Sequence, residues 1–373
     1  NFFVFYELMI MAASVLVGAR GRYYASIKYM LFGAVSSLFL LAGIIAFYAT
    51  GAELGIPFAR EFYARPVAHQ AWVYLFFSTA FFIKSALFPV FGWVATCHAA
   101  TVPVVSGFLG SYTIFMGLYG LHQRVLRPAA LTGFAPAFQW LETLALLTMV
   151  FPAMAVFVER DFKRCIAGST VVTIGFVGLL LARGYTEPAL AYVAVHGVYK
   201  AWMFHLADEL SIEGGHIQGR RTILLALAAA VWMASGFFPA IIWFLKTDLM
   251  EAHRGIHAAA LLSSALVAGG FLKFRYRASP DAPRTLLPWI GLLMLAVVSA
   301  WVPWRRPISA FKVITELAAL GTVLYAAGRL RDPEGHWRFD WPSFRWPNLN
   351  VELFLPFLLF ASGLAFFVET LLR

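Results

Sequence analysis

Apolar runs of about twenty residues recur along the whole chain and are separated by short polar stretches. A run of this length can cross a bilayer as a helix, and a helix satisfies its own backbone hydrogen bonds in lipid. The composition agrees, since 61% of the residues are hydrophobic, only 13% are charged, and the mean hydropathy is +0.75. The sequence therefore predicts an all-α polytopic membrane protein.

About twelve transmembrane segments are expected from these runs. The third segment should be broken near Pro89, because proline removes a backbone donor from the helix. The polar, proline- and tryptophan-rich stretch 329–350 is expected to be a connector that lies on the membrane surface before the last helix. The segments fall at about 1–18, 30–50, 72–95, 103–121, 137–158, 166–183, 188–207, 222–245, 256–274, 285–303, 309–328 and 351–372.

Lysine and arginine residues are distributed unevenly between the two sets of loops. Sixteen lie in loops after odd-numbered segments, among them Lys28, Lys163 and Lys273, and nine lie on the other side. By the positive-inside rule, the odd-numbered loops are expected to face the cytoplasm, with the protein in the plasma (inner) membrane. The net charge of +10 is then a topological signal and does not indicate binding to nucleic acid.

Several protein classes are made improbable by motifs that the sequence lacks. The two cysteines, Cys97 and Cys165, have neither the number nor the spacing of a disulfide framework or a metal site. The chain carries no phosphate-binding or zinc-protease motif. We therefore predict no catalytic centre, no cofactor and no metal in this chain.

Ionisable side chains inside the apolar segments are the candidate functional residues. Each charge at the centre of a bilayer costs about 2.5–3.5 kcal/mol to insert, so such residues need a reason to be there. Glu7, Lys84 and Lys200 lie deepest within their segments, and His196 and His205 flank Lys200. Lys246 lies near a segment end and could snorkel to the interface, whereas Lys312 and Glu316 could neutralise each other on one helix face.

Proton or ion conduction is the physical use that fits such groups. Burial lowers the pKa of a lysine and a nearby carboxylate raises it again, so movement of a charge or proton can switch the lysine between two states. Lysine and histidine sites joined by water can then pass protons stepwise. A helix broken at membrane depth is tolerated where it lines a hydrated cavity, which suits Lys84 together with Pro89.

Five short stretches occur in an order that is typical of one known family: FFVFYELM, KSALFPVFGWV, ERDFKRCIAGSTVVTIGF, HGVYKAWMFHLA and GFFPAIIWFLKTDLMEA. Together they resemble the antiporter-like membrane subunits of respiratory complex I, Mrp-type cation/proton antiporters, membrane-bound hydrogenases and inorganic-carbon uptake complexes. The resemblance implies an ion-translocating core at 1–275, built from two inverted five-helix repeats with broken helices. Residues 276–373 then form C-terminal helices. The family helices expected before this core are not in the sequence, and we expect further N-terminal residues ahead of Asn1.

The same resemblance implies a role for each buried charge. Glu7 and Lys84 would form the couple that gates one half-channel, His196 and Lys200 would form the central relay, and Lys246 would end the second half-channel. Secondary candidates for the ion or proton relay are Lys163, His205, Lys312 and Glu316.

One part of the family pattern is missing. Members usually carry a histidine, and often a lysine, in the helix that here reads VPVVSGFLGSYTIFMGLYGL. The matching positions fall near Leu109 and Phe115, which are apolar. Either this link is absent or it is replaced by water, Ser111, Tyr112 or Thr113.

The resulting functional hypothesis is a membrane subunit that translocates protons, or Na⁺, within a multisubunit complex. Its partners would be other membrane subunits, the lipid bilayer, and a redox or zinc-containing soluble subunit that supplies the driving reaction. One alternative is a coupling subunit of an enzyme complex, such as a CO₂-hydrating carbon-uptake complex, that does not itself conduct. Another is a degenerate structural scaffold, which the missing histidine and lysine would favour.

Overall fold

The computed structural model describes residues 1–19, 21–49, 67–213, 216–237, 240–252, 254–280, 285–299 and 349–372, together with the single positions 314, 318 and 321. Within these residues the chain is almost entirely helical, as predicted. The described helices are α1 (Phe2–Gly18), α2 (Tyr23–Ala49), α3 (Val67–Lys84), α4 (Gly92–Ala100), α5 (Pro103–Thr132), α6 (Ala135–Val158), α7 (Phe162–Ala182), α8 (Thr186–Asp208), α9 (Arg221–Ser235), α10 (Ile241–Ala252), α11 (Arg254–Leu272), α12 (Leu287–Ser299) and α13 (Leu349–Leu372).

Five helical stretches are long and apolar enough to cross a membrane: α2, α5, α6, α7 and Gly255–Leu272 of α11. Helix α7 is the central helix, since its membrane-length window is completely buried. It packs along α6 and α8 and also contacts α4. The expected segment 309–328 and the connector 329–350 lie almost wholly outside the described residues, so the predicted count of twelve segments stays a prediction.

The break predicted in the third segment is confirmed. Helix α3 ends at Lys84, the chain turns through 85–91, and α4 resumes the helical path at Gly92. A side chain from α6 supports this turn, because Phe88 N donates a hydrogen bond of 2.7 Å to Thr148 Oγ1. Helix α5 approaches the turn closely at Gly117, where a Cβ would lie 2.8 Å from Ser85 N.

A second break divides the predicted segment 222–245. Helix α9 ends at Ser235, and Gly236 follows with φ +68°, a left-handed conformation that glycine adopts without steric cost. Helix α10 begins at Ile241. Both interrupted helices therefore end beside a residue of the predicted relay, Lys84 in the first case and Lys246 in the second.

A small sheet departs from the all-α prediction. Strands β1 (Ser211–Glu213) and β2 (His216–Gly219) pair antiparallel, and β2 pairs parallel with β3 (Arg275–Ala278). The sheet joins the chain after α8 to the chain after α11 outside the long helices. Strands this short carry too few residues for a periodic pattern, which is why the sequence did not indicate them.

Candidate functional site

Lys84 lies at the end of α3 and is almost completely buried. Its Nζ donates a hydrogen bond of 3.0 Å to Tyr29 Oη. The same ammonium group lies over the ring of Tyr29 at 4.9 Å and over that of Tyr6 at 5.7 Å, so aromatic faces supply part of its stabilisation. A cavity of about 10 Å³ adjoins Lys84, Tyr29 and Trp93, which is room for one water molecule.

The predicted couple between Glu7 and Lys84 is not an ion pair in the structure. Glu7 is half-buried on α1, next to Tyr6, whose hydroxyl shares a hydrogen bond of 2.5 Å with Ser36 Oγ. Among the described residues, no carboxylate lies within 4.0 Å of Lys84 Nζ. Glu7 is therefore the neighbour in sequence of Tyr6, whose ring lies over Lys84, but it forms no ion pair that neutralises the charge of Lys84.

The carboxylate that is buried near this region is Glu352, on α13. It forms an ion pair with Lys28 of α2, and both side chains are almost completely buried. Lys28 Nζ also donates a hydrogen bond of 3.0 Å to Thr96 Oγ1 on α4. The sequence-based placement of Lys28 in a cytoplasmic loop is wrong, because α2 begins at Tyr23 rather than near residue 30 and carries Lys28 into the core.

Lys200 lies on α8 and is completely buried against the first turns of α7. Its Nζ donates to Ile166 O at 3.0 Å and to Ser169 Oγ. Helix α7 is fixed at its start by Asp161, whose carboxylate accepts a hydrogen bond of 2.8 Å from Arg164 N. The segment DFKRCIAGST thus places the hydroxyl of Ser169 and the carbonyl of Ile166 opposite Lys200.

His196 lies one turn before Lys200 and is also completely buried. Its Nδ1 is 3.0 Å from Tyr199 Oη, and that hydroxyl is 3.4 Å from Thr173 Oγ1. Its other ring nitrogen, Nε2, has no partner among the described residues. The structure therefore brings His196 and Lys200 together, as predicted, and adds Tyr199 and Thr173 to them.

Lys246 is buried on α10 and does not snorkel to an interface. Its Nζ lies 3.6 Å from the centre of the Phe176 ring and 5.7 Å from that of Tyr192. Both rings belong to the helices that carry the Lys200 cluster, α7 and α8. A Cβ at Gly236 would overlap Lys246 Nζ, so the second helix break leaves the space that the ammonium group fills.

This close approach gives a prediction for Gly236→Ala. The substitution places a Cβ against Lys246 Nζ and strains a left-handed residue by about 1–2 kcal/mol. We expect lower thermal stability and displacement of Lys246. Gly133→Ala is the matched control, because Gly133 has φ +70° and nothing within 4 Å of its Cβ position. Equal thermal stability of the two purified variants would contradict a tight fit at Lys246.

Of the three side chains proposed to bridge the gap in α5, one contacts the helix of the central cluster and two do not. Ser111 Oγ donates to Gly197 O at 2.9 Å, and Thr113 Oγ1 donates to Leu109 O at 2.9 Å within its own helix. Tyr112 is exposed. Leu109–Thr113 form a π-helical turn, a local irregularity often found at functional sites.

The secondary candidates fall outside the buried cluster or outside the described residues. Lys163 forms an ion pair of 3.3 Å with Asp208, and both side chains are accessible to solvent. His205 is half-buried and lines an apolar cavity of about 750 Å³ between α5, α8 and α12. Lys312 and Glu316 lie outside the described residues.

Comparison with known proteins identifies the family. Residues 1–224 match the transmembrane family described as NADH:quinone oxidoreductase/Mrp antiporter, which is more than half of the chain. The chain belongs to this family. Membership in the antiporter family, together with the apolar helices, makes it an integral membrane protein and confirms the resemblance carried by the five motifs.

Curated relatives in the antiporter family are subunits of quinone oxidoreductases. Subunit N of the NADH-quinone oxidoreductase of Desulforudis audaxviator is 27% identical over 292 residues, covering 72% of this chain and 58% of the relative. Subunit 13 from Thermus thermophilus is 31% identical over 265 residues, covering 65% of this chain and 55% of the relative. The chain thus spans little more than half the length of these relatives.

Solved structures share the fold of the described helices. The Mrp complex from Dietzia contains a chain that aligns over 100% of this chain and 46% of its own length, with a TM-score of 0.71 and 18% identity. Respiratory complex I from Thermus thermophilus contains one that aligns over 87% of this chain and 74% of its own, with a TM-score of 0.67 and 22% identity. These similarities establish that the fold is that of an antiporter-like subunit.

Proposed function

We propose that this chain translocates protons as a membrane subunit of a larger complex. The observation that carries the proposal is the burial of three lysines, Lys84, Lys200 and Lys246, along one helical core. Within the described residues, Lys84 and Lys200 have hydroxyl, carbonyl and aromatic neighbours and no carboxylate within 4.0 Å. A purely structural charge would be expected to have a counter-ion, because an uncompensated buried charge is strongly destabilising.

The surroundings of each lysine suit a group that alternates between charged and neutral forms. Hydroxyl groups both donate and accept, so Tyr29 and Ser169 can hydrogen-bond to an ammonium or to a neutral amine without rearranging the helices. The aromatic rings over Lys84 favour the cation without trapping it as a carboxylate would. Each site can thus accept a proton and release it again.

The contacts suggest one order of proton transfer. A proton reaches Lys84 at the first helix break, passes to Lys200 at the centre, and leaves through Lys246 at the second break. Between the last two, the hydroxyls of Tyr199 and Thr173 and the ring of Tyr192 line the space. Two inverted five-helix repeats within residues 1–275 would place each break at the same depth in its own repeat.

Several further features belong to the proposal. Protons are favoured over Na⁺ because the cluster consists of lysine, histidine and hydroxyl groups, and cations such as Na⁺ prefer oxygen ligands in carboxylates and carbonyls. The partners would be other membrane subunits, as the names of the relatives indicate for those proteins. A soluble redox or zinc-containing subunit would supply the energy for transport. The chain would lie in the plasma membrane with its basic loops facing the cytoplasm.

A second candidate function is coupling without conduction. Within the described residues Glu7 forms no ion pair, and the residues near Leu109 and Phe115 are apolar, and both features depart from the family's relay and favour coupling. In that case the buried lysines would respond to a neighbouring subunit electrostatically and no proton would cross this chain.

Substitution of Lys200 by methionine separates the two functions. Methionine keeps the length of the side chain and removes the proton-carrying group. We expect proton flux through proteoliposomes that contain the complex purified with this chain to fall at least about tenfold, equivalent to a barrier higher by about 1.4 kcal/mol. A pH-sensitive dye inside the vesicles measures the flux under an imposed membrane potential.

Lys163→Met is the matched control, because it removes the same charge from a solvent-accessible ion pair. It should leave the flux near the wild-type value. Unchanged flux in Lys200→Met, with normal assembly of the complex, would favour coupling without conduction.

A further inference from the structure

His98 is a buried histidine that the relay described so far does not use. It lies on α4, the helix that follows the break at Lys84, and its side chain is completely buried. Neither ring nitrogen has a hydrogen-bond partner among the described residues. The hydroxyl of Ser106 contacts the backbone of His98 and not its ring, since Ser106 Oγ donates to His98 O at 2.8 Å. A buried imidazole without partners is costly unless it has another use.

The ring of His98 lies against the position at which the family's histidine is missing. In α5 that position falls in the π-helical turn at Leu109–Thr113. A Cβ at Gly110 would lie 3.2 Å from His98 Cε1 and 3.7 Å from His98 Nδ1. The absence of a side chain at Gly110 therefore gives the imidazole of His98 the space that a side chain from α5 would otherwise fill.

A second imidazole lies on the same glycine. His196 interacts with the backbone of Gly110, and its ring packs edge-on against Phe115 with centres 5.0 Å apart. The ring of His98 stacks on Phe204, one turn beyond Lys200 on α8, with centres 5.5 Å apart. Gly110 thus separates a histidine of α4 from a histidine of the central cluster.

Three consecutive residues of α4 lie between two sets of buried lysines, Lys28 and Lys84 in one set and Lys200 in the other. Thr96 accepts a hydrogen bond from Lys28, and the neutral thiol of Cys97 lies within electrostatic range of Lys28, Glu352 and Lys84. His98 interacts electrostatically with Lys200, and His196 interacts with both Lys200 and His98. Helix α4 therefore faces the Lys84 region on one side and the Lys200 cluster on the other.

We propose that His98 is the relay group that carries protons between Lys84 and Lys200 and replaces the basic residues that are absent near Leu109 and Phe115. This role rests on the proposed function of the chain. One ring nitrogen accepts the proton, forming an N–H bond as the donor's N–H or O–H bond breaks. The other ring nitrogen then gives up its own proton towards Lys200, which leaves a neutral imidazole. Water supplies the hydrogen bonds wherever a nitrogen is beyond direct reach.

The charge of Lys200 sets the order of these steps. Two positive charges repel strongly in a low-dielectric interior, so His98 accepts a second proton when Lys200 is neutral and stays a neutral imidazole when Lys200 is charged. One mobile positive charge is then shared between the two groups. The unpartnered Nε2 of His196 lies beside this step and can accept or donate in the same network.

The test compares two replacements of His98 in the assembled complex. His98→Phe keeps an aromatic ring for stacking on Phe204 and removes both ring nitrogens. His98→Gln keeps a hydrogen-bond donor and an acceptor, but its amide does not take up an additional proton at neutral pH. We expect proton flux in proteoliposomes to fall at least tenfold in both variants, with wild-type thermal stability in at least one. His122→Phe is the control, because this half-buried histidine lines the apolar cavity instead of the relay.

The outcomes separate this inference from the proposed function. Loss of flux in both His98 variants, with at least one of them assembled at wild-type stability and normal flux in His122→Phe, supports the relay role. Normal flux in either His98 variant, alongside lost flux in Lys200→Met, overturns the role of His98 and leaves proton translocation standing. Normal flux in all of these variants overturns both.

Discussion

Replacement of Lys84 by methionine is expected to abolish proton transport while the complex still assembles. Lys84 is the one lysine of the relay that lies directly at the first helix break, and its Nζ has Tyr29 Oη as a hydrogen-bond partner at 3.0 Å. Methionine fills nearly the same volume, so the core beside Tyr6 and Trp93 keeps its packing. The loss should therefore reflect the missing proton carrier.

Flux should fall at least about a hundredfold, equivalent to about 2.7 kcal/mol in the barrier, because no other described side chain at the break can carry a proton. Proton uptake by proteoliposomes measures this, and Lys163→Met serves as the surface control. Tyr29→Phe should give a smaller reduction, since it removes the hydrogen bond and keeps the ring over Lys84. Normal transport in Lys84→Met would disprove the proposed first step, in which Lys84 carries the proton to Lys200.

Breaking the ion pair between Lys28 and Glu352 is expected to have the largest effect on stability. Both side chains are 1% exposed, and removal of either one leaves the other charge buried and uncompensated. Such a change costs about 3–5 kcal/mol, which is a large fraction of the stability of most domains. Lys28→Met and Glu352→Gln should each lower the yield of assembled complex and its thermal transition temperature.

The double variant tests the origin of this effect. Lys28→Met together with Glu352→Gln leaves no buried charge, so it should be more stable than either single variant and recover most of the assembly. The thermal transition of the purified complex is the measurement. If the double variant lost as much stability as the two single variants summed, the pair would not be acting as a unit, and its role in holding α13 against α2 would be disproved.

The helical architecture and the first break were readable from local features of the sequence. Apolar runs of membrane length predict helices, and Pro89 together with a mid-segment lysine predicts an interruption. Lys200 and His196 were likewise predicted as buried groups because they interrupt apolar runs, whereas the sequence left open whether Lys246 reaches the interface. These inferences depend only on residues within one segment.

Pairings between distant segments were not readable in the same way. Glu352 lies at the start of the last helix and Lys28 near the start of the second, positions that look interfacial in sequence. Only the packing of α13 against the core brings them together. His98 was missed for a similar reason, because the local sequence ATCHAA does not show that its ring lies over Gly110. A histidine close to a predicted helix break was the signal that could have identified it.

The most direct test of a continuous proton path from Lys84 to Lys246 is a structure of the assembled complex that resolves ordered water. We predict one water molecule in the cavity beside Lys84, further waters that connect it to His98 and Lys200, and others between Tyr199 and Lys246. Each gap between polar atoms along this line should be bridged at hydrogen-bond distance. A dry, apolar gap between Lys84 and Lys200 would contradict conduction through this chain.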